Sequence, residues 1–172
     1  MNYKKNNIKI INLFQIFIGF SSLLLGSLVY IIDRSTQNIY FINFLNIDLS
    51  QYNKCSDIFG DFGNVFPDFI HTFAFICLTS GFLSLNKKGI LITCISWLIF
   101  DVIMELGQKY NEIAINFIPD CFNRIPFLEN SKNYFVYGTF DSNDIIAMFI
   151  GAIVGYIFLF ITSRKMSVSI KN

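Results

Sequence analysis

The sequence predicts an all-α protein, a polytopic bundle of four transmembrane helices with two long loops on one side. Three observations carry that prediction. Hydrophobic residues make up 53% of the 172 and charged residues only 15%, far from the balance of a soluble domain. The charges are swept into short segments between apolar runs. Four of those runs approach the roughly 20 residues that a helix needs to cross ~30 Å of hydrocarbon. A chain of this length makes one compact unit, so residues 1–172 are read as a single transmembrane domain. A net charge of +1 gives no reason to expect nucleic acid as a partner.

The first span is read at 8–32. Its apolar run is too long for a signal peptide and no small-residue cleavage site follows, so it is expected to be retained. Gly19, Ser22 and Gly26 give it a small-residue face suited to close helix packing. Asn12 and Gln15 lie near its start, and Tyr30 is placed as an interfacial anchor at its end. A loop follows at 33–66, rich in phenylalanine, tyrosine and isoleucine. Two readings stay open for it: an aromatic belt at the headgroups, or a lid over a site.

The second span is read at 67–85. Pro67 suits a first helical position, Asp68 suits the first turn, and His71, the only histidine, shares the face of Asp68. The third span, 89–108, is the most informative stretch. It carries Asp101, Glu105 and Gln108. At about 100° per residue, Glu105 lies about 40° from Asp101 and Gln108 about 20° on the other side, one narrow polar stripe. A carboxylate in a span costs ~2.5–3.5 kcal/mol on insertion scales and is a functional-site hypothesis by default. A second loop, 109–141, contains EIAINFIPD, read as a short surface helix. The fourth span, 142–162, repeats small residues at Ala147, Gly151 and Gly155, again a packing face. Gly60-Asp61-Phe62 and Gly138-Thr139-Phe140, each preceding acids, give a faint echo between the two halves.

Lysine and arginine set the expected orientation. The segments before the first span, between the second and third, and after the fourth hold Lys4, Lys5, Lys9, Lys87, Lys88, Arg164, Lys165 and Lys171 and no acid. The other side takes all 12 acids with Arg34, Lys54, Lys109, Arg124 and Lys132. Both termini are therefore expected to be cytoplasmic. Cys55 and Cys121 fall in the two outer loops, where either a disulfide or free thiols are open. Cys77 and Cys94 fall within spans and read as small apolar fillers.

Topology and spacing together bring Asp68, His71, Asp101, Glu105, Gln108, Asp141 and Asp144 to one end of the bundle. Such a cluster can support general-base chemistry at an imidazole oriented by a carboxylate, hold a divalent cation, relay protons, bind a cationic headgroup, or fix helix register. GxSxG, Walker A, HExxH and CxxC patterns do not occur. Glu105-x-x-Gln108, then Asp141-x-x-Asp144 and Gly151-Ala152-x-x-Gly155, with a histidine in DFIHTFAF, resembles the VanZ-like membrane proteins over residues 68–156. That family carries an arginine before the acidic pair and an asparagine four residues after the second acid. This chain has Gly138-Thr139-Phe140 and Met148 there.

The resemblance implies a bacterial inner-membrane protein of the cell envelope, and it brings no established reaction with it. The expectation is a pocket that binds or acts on a lipid-linked or polar envelope component. His71, Asp101, Glu105 and Asp144 would be the catalytic candidates, with His71 or Glu105 as base, and Asp68, Gln108 and Asp141 at the rim. Whether a metal takes part stays open. The alternative is a non-enzymatic scaffold or accessory subunit whose intramembrane polar residues only fix helix packing; a homo-oligomer or a membrane-protein partner stays open in either case. A proton- or cation-coupled transporter ranks third, because the acids stay in one leaflet and Asn12 and Gln15 are the only evident candidates for a polar path through the other half.

Overall fold

The computed structural model describes residues 11–33, 58–126, 128–129 and 131–169, with side chains through Ser163. The architecture is all-helical across them. Helix α1 spans Leu13–Asp33, α2 Gly60–Leu83, α3 Lys87–Lys109, α4 Asn111–Phe117, α5 Ser131–Tyr137 and α6 Ser142–Ser169, with a 3₁₀ turn at Asp120–Arg124 between α4 and α5. Four of these, α1, α2, α3 and α6, are long and apolar enough to cross a membrane. The chain is a multi-pass membrane protein. Only helices or closed barrels satisfy every backbone polar group in hydrocarbon, which is why such sequences fold this way.

Helix α2 is the one the others share: it packs against α1, α3 and α6, and α3 also meets α6. Glycine sets how closely they approach. A Cβ on Gly19 would lie 2.7 Å from the Leu78 side chain, and one on Gly26 equally close to Ile70, so α1 rests almost backbone-first on α2. Gly81 of α2 answers with Ile16 at 2.8 Å. On the opposite side of α2, a Cβ on Gly151 would come within 2.5 Å of the Phe69 carbonyl oxygen, while Gly155 sits over Ile76 with more room. Both small-residue faces read from the sequence are thus packing faces against α2. Ile76, Cys77, Ile90, Cys94, Ala152 and Leu159 form the core between α2, α3 and α6. Large apolar side chains such as Phe20, Leu24, Ile95, Ile99, Ile103 and Ile153 point outward, the reverse of a soluble domain and what a lipid surround requires.

The main departure from the expected boundaries is at the start of the second span. Helix α2 begins at Gly60 and not at Pro67, which falls inside the helix. Its 24 residues make about 36 Å, longer than the ~30 Å hydrocarbon core. The stretch of the first loop from Gly60 to Phe66 is therefore helical, with the Phe62, Phe66 and Phe69 rings in series along it. The rest of that loop, Cys55 and its pairing with Cys121, and the basic N-terminal segment lie outside the described residues. Cys121 is an exposed free thiol. The tight turn between α2 and α3 is fixed by Ser84, left-handed at φ 45°, and by Asn86, whose side chain accepts the Gly89 N–H at 2.9 Å as an N-cap. The short surface helix expected in EIAINFIPD is α4; α5 was not foreseen. Gly60 opens α2 at φ 52° while Gly138 sits four residues ahead of α6 against Gln108. The two Gly-x-Phe units have different jobs and the internal echo carries no structure.

Candidate functional site

Helix α2 starts, α3 ends and α6 starts at the same end of the bundle, and the polar residues meet there. Asp101 is 4% exposed and Glu105 3%, although both sit in a span. Thr72, completely buried, stands where α2 meets both α3 and α6 and donates its hydroxyl to Asp101 Oδ2 at 2.6 Å. That leaves Oδ1 for the imidazole: His71 Nδ1 lies 3.6 Å away. The distance is beyond a formed hydrogen bond but within reach of a small ring adjustment, the looseness common in unliganded sites. The His71 side chain is 46% exposed, so the ring sits between a buried carboxylate and the surroundings. This is the arrangement in which a carboxylate fixes the tautomer of an imidazole that can take a proton.

One turn along α3, Glu105 is engaged on both oxygens. Oε1 accepts the Asp141 backbone N–H at 2.8 Å, and Oε2 accepts from Gln108 Nε2 at 3.2 Å. Gln108 Nε2 also donates to the Tyr134 hydroxyl at 2.8 Å. Phe135, buried, lies against Gly107, and Gly138 has Gln108 where a Cβ would be. The last turn of α3 therefore ties down α5 and the start of α6. Glu105, Gln108 and Asp141 thus form a closed hydrogen-bonded latch. Burial, first, and the nearby charges of Glu105, Asp68 and Asp101 push the Tyr134 phenol above its usual range, against the Gln108 hydrogen bond that lowers it.

Asp68 and Asp144 are half-buried at the same end, Asp144 one turn into α6. All seven residues read from the sequence thus gather at one end, but they divide into the pair of His71 and Asp101, the closed latch of Glu105, Gln108 and Asp141, and the half-buried Asp68 and Asp144. Two participants were missed. Thr72 could have been found as the hydroxyl beside His71 on a helix facing an acid. Tyr134 had no signal, because its loop showed no periodicity. Among the described residues no group of three or more His, Cys, Asp or Glu is placed to hold a metal ion. At the opposite end Asn12 and Gln15 are buried, Gln15 Nε2 donating to Thr162 Oγ1 at 3.1 Å, and the Ser80 hydroxyl has no partner among the described residues. That set contains no titratable side chain. The chain matches no family model, no curated protein and no solved structure.

Proposed function

We propose that the protein binds, and through His71 acts on, the polar end of a lipid-linked or polar component of the cell envelope. The observation that carries this reading is the His71–Asp101 pair. An acid in a span is costly, and a structural role alone would close it on protein donors as Glu105 is closed. Asp101 has Thr72 on one oxygen and turns the other toward an imidazole that is open to the surroundings. Asp144 and Asp68 stand at the rim. The order of Glu105, Gln108, Asp141 and Asp144, similar to the VanZ-like pattern, supports an inner-membrane setting with this end at the outer leaflet. So does the charge asymmetry.

A scaffold is the second reading, and the double engagement of Glu105 favours it for the latch. Conservative changes separate the two. In mild detergent, His71→Gln should leave membrane abundance within about twofold and remove a lipid-sized species that native mass spectra of the wild type are expected to show; Asp101→Asn should remove it too, with a partial loss of abundance because the Thr72 hydrogen bond is weakened. Glu105→Gln should lower abundance instead, since a neutral amide weakens acceptance of the Asp141 N–H, a charge-assisted bond worth roughly 1.5–3 kcal/mol. If no variant changes a bound species and all three only lose abundance, the acids are helix glue.

A further inference from the structure

Beneath His71 the seam between α2 and α3 is aromatic. The imidazole lies 4.5 Å from the Phe75 ring, Phe75 lies 4.6 Å from Trp97, and Trp97 meets Phe100 edge-on at 5.7 Å. Trp97 is held in place by its indole N–H, which donates to Thr79 at 2.9 Å. Phe100 is 50% exposed, so the ring series ends at the surroundings of the bundle. Phe75 and Trp97 each lie one helical turn, about 6 Å, toward mid-bundle from His71 and Asp101. A chain lying in this seam would have its polar end at the His71–Asp101 pair.

The charge at that end selects the headgroup. Neither Asp101 nor Glu105 has a lysine or arginine partner among the described residues. Lys132 is committed to Asp120 at 2.7 Å, and Lys109 sits over Phe140, 4.7 Å from the ring centre. A phosphate is normally taken by arginine, lysine or a helix N-terminus. The α6 N-terminus at this end is already closed by Glu105, which accepts the Asp141 N–H at 2.8 Å, and α2 starts well before His71, so at the His71–Asp101 pair a phosphate would meet a carboxylate. An ammonium would meet that carboxylate and the faces of aromatic rings, both attractive to a cation.

We infer that the α2–α3 seam takes an amphiphilic amine, its ammonium at the exposed His71 ring over the buried Asp101 carboxylate and its hydrocarbon chain along Phe75, Trp97 and Phe100. This rests on the proposed reading of the same site and narrows its ligand from any polar lipid to a cationic one.

Trp97 is the only tryptophan, so its fluorescence reports on the seam alone. Wild-type protein in neutral detergent would be titrated with three chain-brominated quenchers of equal length: dodecylamine, dodecyl phosphate and dodecanol. The expected result is saturable quenching by the amine at concentrations at least about tenfold lower than by the other two, the ratio of a partly buried charge pair. Asp101→Asn should bring the amine to the level of the alcohol. Phe75→Leu should weaken the amine and the alcohol alike. Equal saturable quenching by all three, a preference for the phosphate, or an amine preference that survives Asp101→Asn overturns the inference. In those cases a binding site at this end still stands. No saturable quenching by any of them also overturns it, and the native mass spectra then decide the broader reading separately. The wild-type comparison of headgroups needs no variant to fold.

Discussion

Thr72 decides how Asp101 is held. A completely buried hydroxyl must find an acceptor or cost ~1–3 kcal/mol, and the acid beside it must find donors for the same reason. Their 2.6 Å contact answers both needs at once and aims the remaining Asp101 oxygen at His71. Valine matches threonine in shape but leaves Asp101 Oδ2 bare. Thr72→Val should therefore destabilise the protein by ~1–3 kcal/mol in detergent unfolding. Thr72→Ser, which keeps the hydroxyl and loses one methyl, should cost roughly 1 kcal/mol. Equal losses for the two would mean that the hydrogen bond contributes nothing. In the Asp101→Asn background the gap between valine and serine should shrink, because the charge that strengthens the bond is gone.

At the scale of the helices, the spacing between α2 and its neighbours is set by absent side chains. A methyl on Gly151 would be 2.5 Å from the Phe69 carbonyl oxygen, a backbone atom that moves only with its helix, whereas at Gly155 the nearest atom is an Ile76 methyl at 3.3 Å. Gly151→Ala should push α2 and α6 apart and cost ~1–3 kcal/mol by overpacking, while Gly155→Ala should cost under about 1 kcal/mol. Thermal unfolding of the two variants in one detergent checks the order. These faces were legible because small residues every four positions mean close approach in a membrane whatever the partner. The polar stripe on α3 was legible because helical periodicity fixes angles within one helix. What the sequence does not contain is the angle between helices. Asp101 and Glu105 look alike by spacing, yet one meets α2 and the other meets the α5–α6 junction. The start of α2 was misplaced because Pro67 fits a first turn as well as an interior position whose lost hydrogen bond lies near the membrane edge.

For the whole molecule, the direction of each helix turns a scattered set of acids into one polar end. Asp61 and Asp68 enter with α2, Asp101 and Glu105 leave with α3, Glu112, Asp120 and Glu129 follow in the connection, and Asp141 and Asp144 lead into α6. The opposite turn carries Lys87 and Lys88 and no acid, and Lys87 lies over the Phe160 ring. Lysine and arginine, more than acids, decide which end stays in the cytoplasm, so the acidic end should face outward. Cys121 makes the test direct, because it is exposed at that end while Cys77 and Cys94 are buried. In a Cys55→Ser background, a membrane-impermeant maleimide should label Cys121 in intact cells. A cysteine introduced by Asn172→Cys should label only after the membrane is opened. The reverse pattern would place His71 and Asp101 in the cytoplasmic leaflet, and the ligand would then have to be a component of that leaflet. Orientation therefore decides which pool of amphiphiles the α2–α3 seam can meet, and labelling reads it without any ligand.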